Sequence, residues 1–107
     1  MVTLPAIRPR TNREIPEADF QRYITDLLDL GDWRWYHTHD ARRSAKGFPD
    51  LVAVRLSRLV FIEVKTERGR VRPEQTTWLD DLRLSGRCEC YLWRPSDSDE
   101  ARRIILG

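Results

Sequence analysis

The chain has 107 residues, 40% hydrophobic and 34% charged, which suits one compact domain with a modest core and a charge-rich surface. No apolar run approaches the ~20 residues of a membrane span, and the N-terminus lacks a signal peptide's apolar stretch, so the expectation is a cytoplasmic protein. The net charge of +2 is unevenly spread: Arg34 to Arg72 holds ten basic and four acidic residues, the remainder nine and thirteen. Lys46 and Lys65 are lysine and every other basic residue is arginine, whose rigid donor fork suits phosphate. Such a segment either faces a polyanion or is a solvated surface.

In chain order, residues 1–15 are rich in Pro, Arg and Thr without a period and read as an N-terminal arm, with the folded domain over 16–107. Pro16 suits a first helical position, and Phe20, Tyr23, Ile24, Leu27 and Leu28 recur at helical spacing up to a C-cap at Gly31. Trp33 to His37 is aromatic and predicts a strand, and His39 to Gly47 a polar, basic loop. Leu51 to Val54 and Leu59 to Val64 are apolar, β-branched runs separated by a short turn, which reads as a hairpin at the centre of a sheet. After a charged loop over 66–72, Pro73 opens a second helix with Trp78, Leu79, Leu82 and Leu84 as its apolar stripe, ended by Ser85-Gly86. Glu89 to Arg94 alternates as a strand that Pro95 stops, and Ser96 or Asp97 caps a final short helix. The expected fold is one α/β domain in the order α-β-β-β-α-β-α, a central mixed sheet flanked by helices.

Cys88 and Cys90 are too close in sequence for an ordinary disulfide and lack the two-residue gap of a zinc knuckle, so reduced thiols are expected. His37-Thr-His39 has a spacing that can hold zinc or nickel, but no cysteine or third histidine supports it. The informative anomaly is Leu59-Val-Phe-Ile-Glu63-Val-Lys65. A strand this apolar belongs in a core, yet Glu63 and Lys65 project from one face of it. Burying charge is costly unless it is paired or ligates a metal. Asp50 stands at the start of the neighbouring strand, and a hairpin would bring it level with Glu63. A divalent cation relieves the repulsion of two adjacent carboxylates, and oxygen-only ligands favour Mg²⁺ or Mn²⁺. The alternative is an edge strand with an exposed Glu–Lys pair.

Gly47-Phe-Pro-Asp-Leu-Val52, Phe61-Ile-Glu-Val-Lys65 and Gln75-x-x-Trp-Leu-x-x-Leu82, in that order, resemble the VRR-NUC (virus-type replication-repair nuclease) domain, a branch of the PD-(D/E)XK nucleases. The resemblance runs from about Glu17 to Trp93. It implies a single PD-(D/E)XK nuclease-like domain that hydrolyses DNA phosphodiesters with Mg²⁺ or Mn²⁺, leaving 5′-phosphate and 3′-hydroxyl ends. By the same resemblance Asp50, Glu63 and the backbone carbonyl of Val64 are metal ligands, with Glu17 completing the site and Glu14 as the competing acid. Lys65 is the catalytic lysine, and Gln75 supports the site or contacts nucleophile or DNA. His37 matches a histidine placed before the active-site loop, and Ser44 occupies the place of a serine found in the similar archaeal Holliday junction resolvases. The chain resembles small phage and bacterial members, which implies a homodimer acting on branched or duplex DNA in a bacterial or phage-infected cytoplasm.

Arg42, Arg43, Lys46, Arg68, Arg70 and Arg72 lie on the loops beside these motifs and are candidate phosphate contacts. Trp33, Trp35, Trp78 and Trp93 read as core residues, with base-stacking platforms as the alternative. No Walker loop, dinucleotide fingerprint or Ser/His/Asp constellation is present, so no nucleotide cofactor is expected. The leading expectation is a structure-selective endonuclease for junctions or flaps. The others are a catalytically weak DNA-binding or scaffold subunit and a restriction-type nuclease on linear duplex.

Overall fold

A computed structural model describes residues 10–38 and 45–107 of the chain. The elements are α1 (Glu17–Leu30), β1 (Arg34–His37), β2 (Leu51–Arg55), β3 (Arg58–Val64), α2 (Pro73–Leu84), β4 (Glu89–Trp93) and α3 (Ser98–Leu106). Single 3₁₀ turns occupy Asn12–Glu14 and Pro95–Asp97. The strands lie side by side as β1-β2-β3-β4, with β1–β2 and β2–β3 antiparallel and β3–β4 parallel. Parallel neighbours need a crossover, and α2 supplies it between β3 and β4. The expected element order and the mixed sheet are both present.

Alternation along β3 divides the molecule into two faces. Val60, Ile62 and Val64 enter the main core with Phe20, Ile24 and Leu28 of α1, Trp93, and Ala101 and Ile105 of α3. Phe61 and Glu63 point to the opposite face, where Phe61 meets Phe48, Phe48 meets Trp78 of α2, and Gln75 of α2 reaches Glu63. The charged anomaly of the sequence therefore lies on the thinner side of the sheet, under a single helix.

Two local expectations shift, at Pro16 and Leu84, while Gly31 is the C-cap of α1 as expected. Pro16 is the N-cap of α1 and not its first helical residue: its ψ of 154° is extended, and its carbonyl accepts the Phe20 N–H at 3.1 Å. The left-handed residue that closes α1 is Asp32, at φ 61°, while Gly31 sits at φ −86°. Trp33 N–H donates to Leu28 O at 2.9 Å and Asp32 N–H to Asp29 O at 3.1 Å, the paired bonds of a Schellman end. Gly31 lies in a tight place, where a Cβ would be 3.0 Å from both Ile105 O and Trp33 Cδ1. Finally, Leu84 is exposed and leaves the α2 stripe, since it lies five residues past buried Leu79, about 140° around the helix. Trp33 and Trp93 are buried and Trp35 and Trp78 half-buried, in line with core roles. Cys88 and Cys90 are free, with sulfurs 3.8 Å apart, and burial pushes the Cys90 thiol up to about 12.

Candidate functional site

The site is assembled where β2 begins and β3 ends. Leu51 stands opposite Ile62, so one step further the antiparallel register brings Asp50 beside Glu63. Asp50 Oδ2 accepts the backbone N–H of Val64 at 2.7 Å, which fixes that carboxylate across the strand pair. Glu63 is 2% exposed, and its Oε1 accepts a hydrogen bond from Gln75 Nε2 at 2.9 Å.

Gln75 is itself oriented by the start of α2. Pro73 takes the first helical position, where its missing N–H is not needed, and Arg72 is the extended N-cap. Gln75 Oε1 accepts the Arg72 N–H at 2.9 Å, which turns the amide NH₂ toward Glu63. Gln75 also lies four residues before Leu79 and shares its inward face, so a polar side chain occupies a core position. Behind it, Gly47 at φ 88° presses on the same turn: a Cβ there would lie 2.5 Å from the Glu74 carbonyl carbon and 2.8 Å from Gln75 N. Only glycine allows the loop before Asp50 to seat against α2 in this way.

These groups line a cleft of about 240 Å³ whose walls include Glu17, Asp50, Glu63, Lys65, Arg72 and Gln75. Lys46, Phe48 and Thr38 complete much of the rest. Glu63 carries the electrostatic signature of the cleft. Burial first, then repulsion from and hydrogen bonding with Asp50, pushes its carboxyl up to about 8; Lys65 opposes the rise and Glu17 adds to it. Two carboxylates in contact at neutral pH are poised to share either a proton or a cation. Among the described residues, no group of three or more His, Cys, Asp or Glu side chains is placed to hold a metal ion. Asp50 and Glu63 are a pair of carboxylates facing one cleft, and Glu17 stands elsewhere on its wall.

The model of the VRR-NUC domain family matches residues 12–91, which span the cleft-lining residues from Glu17 to Gln75. The chain belongs to the VRR-NUC family. No curated protein matches it. Membership gives this VRR-NUC domain a nuclease-type function with DNA as its substrate. None of its helices among the described residues is long and apolar enough to cross a membrane.

The remaining sequence-derived residues are distributed as follows. Arg68 and Arg70 are exposed on the loop between β3 and α2 but do not line the cleft, whereas Arg72 does. Arg42, Arg43, Ser44 and His39 lie outside the described residues. His37 Nε2 is 3.2 Å from Gln21 Nε2 of α1, a contact in which the imidazole's role depends on its tautomer. Glu14 lies in the 3₁₀ turn before α1 and is absent from the cleft wall that Glu17 joins.

Two contributors escaped the sequence. Gly47 was visible only as part of a motif; its close approach to α2 depends on a tertiary contact. Arg94, just after β4, donates through Nη1 to the carbonyls of Thr66, Glu67 and Gly69, and nothing in its local sequence sets it apart.

Proposed function

We propose that this VRR-NUC domain is a divalent-metal-dependent DNA endonuclease, selective for branched substrates such as four-way junctions or flaps. The observation that carries the reading is Glu63, a buried carboxylate at a core-strand position, held against Asp50 and fixed by Gln75, and opening into a cleft shared with Lys65. A structural ion pair needs no such arrangement.

Asp50 and Glu63 would hold Mg²⁺ or Mn²⁺, with the Val64 carbonyl and Glu17 as further ligands, and the bound ion would neutralise phosphate charge and acidify water. The protein's own groups supply the order. Val64 N–H and Gln75 Nε2 each fix one carboxylate, so neither must reorganise when substrate arrives. Lys65, on the same face as Glu63, stabilises the negative charge that develops as water adds to phosphorus and the P–O3′ bond breaks. The departing 3′-oxygen takes up a proton, leaving a 3′-hydroxyl and a 5′-phosphate. Lys46 and Arg72 on the cleft walls, with Arg68 and Arg70 beyond them, contact flanking phosphates. A homodimer provides the surface that one small domain lacks for holding a junction.

The test is cleavage of labelled junction, flap and linear duplex by wild type, Asp50→Ala, Glu63→Ala and Lys65→Ala, with Mg²⁺ or Mn²⁺. Wild type is expected to cut branched DNA in preference to duplex, and each variant to lose at least about a hundredfold in rate, as expected when a charge-stabilising group is removed. If wild type and Asp50→Ala both bind DNA yet are equally inert, the chain is a scaffold and the enzymatic reading fails. Sequence-selective cutting of linear duplex instead supports a restriction-type activity.

A further inference from the structure

We propose that Arg94 is a positioning residue that holds the 66–72 loop as a preformed phosphate-binding strap beside the cleft. The proposal rests on the reading of Arg68, Arg70 and Arg72 as phosphate contacts. Arg94 itself lies beyond the family-matched residues 12–91.

The strap leaves β3 at Lys65, turns at Glu67-Arg68 and enters α2 at Pro73. Gly69 N–H donates to Thr66 O at 3.2 Å, and a Cβ on Gly69 would lie 2.7 Å from Thr66 Oγ1, so the turn is compact. Its carbonyls converge inward. Arg94 Nη1 donates to Thr66 O at 2.7 Å, Gly69 O at 2.9 Å and Glu67 O at 3.2 Å, gathering the inner side of the turn onto one nitrogen. Ser96 N–H adds a fourth tie, to Glu67 Oε1 at 3.0 Å. The outer side is different: Arg68, Arg70 and Arg72 are all exposed, while Gly69 and Val71 between them are half-buried. The turn's carbonyls thus meet the Arg94 cation, while exposed arginines stand at alternate positions 68, 70 and 72, the last of them on the cleft wall.

Arg94 is well placed to impose this order. Trp93 before it is fully buried, Pro95 after it is buried, and its own N–H donates to Asp97 Oδ2 at 2.9 Å. The Trp93 carbonyl accepts the Lys65 N–H at 3.0 Å, so the catalytic lysine candidate and the strap hang from the same two residues of the β4 end. No ion pair among the described residues engages Arg94, so its charge remains on the carbonyls of the strap. Three arginines within five residues repel one another, and a strap without its tether would have to be ordered by the DNA, which weakens binding.

Binding of a fluorescent four-way junction without divalent metal, measured across a salt series, tests the proposal alongside amide exchange. Arg94→Met is expected to raise Kd about tenfold and to flatten the salt dependence by more than the ~0.9 of one lost phosphate contact. It should speed exchange of the Gly69 amide and leave Mn²⁺ affinity unchanged. In an Arg68→Ala/Arg70→Ala background, the same change should cost little more, since there is then little strap charge left to position. If Arg94→Met is too unstable to assay, Glu67→Ala loosens the strap through the Ser96 tie and carries the same expectation. Unchanged binding by Arg94→Met, or a full additive loss in the double background, overturns the proposal; additivity would mean that Arg94 touches DNA itself. Unchanged binding by Arg68→Ala/Arg70→Ala overturns the phosphate-contact reading and the strap proposal with it.

Discussion

At the residue scale, Glu63 ties function to stability. Its carboxyl is pushed from an ordinary 4.5 up to about 8 in the folded protein, chiefly by burial and by Asp50. Between those two values the folded state holds a proton that the unfolded state has released, so stability falls as pH rises through this window. Each pH unit within this window costs at most about 1.4 kcal/mol, and relaxation around the site lowers that. In chelator, the denaturant midpoint of the metal-free protein should therefore drop from pH 5 to pH 8. Glu63→Gln, which cannot ionise, should flatten that slope. Adding Mn²⁺ should restore stability most at the alkaline end, because a cation replaces the proton between the carboxylates. A wild-type profile that rises from pH 5 to pH 8 would sink this account of the site.

At the element scale, the site depends on how one loop and one helix start fit together. Gly47 touches the Glu74–Gln75 backbone, Gln75 holds Glu63, and Asp50 follows three residues after the glycine. Gly47→Ala introduces both a left-handed alanine and a clash with backbone that cannot rotate away. The left-handed conformation alone costs roughly 1–2 kcal/mol, so a loss of about 2 kcal/mol or more is expected in urea melts. Cleavage should fall further than the folded fraction does, since the displaced helix start carries Gln75. Activity equal to wild type in folded Gly47→Ala would show that this contact does not set the site. The elements themselves were legible because each announces itself locally: helical spacing from Phe20 to Leu28, two β-branched runs, and prolines at 73 and 95. Asp50 and Glu63 could be paired from hairpin logic alone. What the sequence could not supply were the long-range fits. Asp32 and not Gly31 takes the left-handed place at the end of α1, and Arg94 finds the strap because β4 lies parallel beside β3.

At the scale of the whole molecule, described basic residues of the 34–72 segment lie toward two ends of the sheet. The hairpin sends Arg55 and Arg58 to the end of the sheet away from Asp50 and Glu63. There Arg55 donates to the carbonyls of Gly31, Ile105 and Gly107, closing the C-terminal ends of α1 and α3, where a cation is favoured. Arg58 pairs with Glu89 through two bonds of 2.8 Å and also donates to Ile104 O. Their guanidinium carbons lie 4.7 and 4.9 Å from the Trp33 ring. These two arginines bind the fold's own carbonyls and Glu89, so part of the segment's positive charge is engaged within the protein. Lys46, Arg68, Arg70 and Arg72 belong to the other end, with the cleft and the strap. Substitution should separate the two groups cleanly. Arg55→Ala and Arg58→Ala are expected to cost roughly 1.5–3 kcal/mol each in stability, as lost bonds to a charged group do, while leaving the salt dependence of DNA binding unchanged. Lys46→Ala and Arg72→Ala should do the reverse, each reducing the slope of log K against log salt by about 0.9 while shifting stability by less than about 0.5 kcal/mol. A flattened salt slope in Arg55→Ala would place DNA at the hairpin end and reassign the binding face.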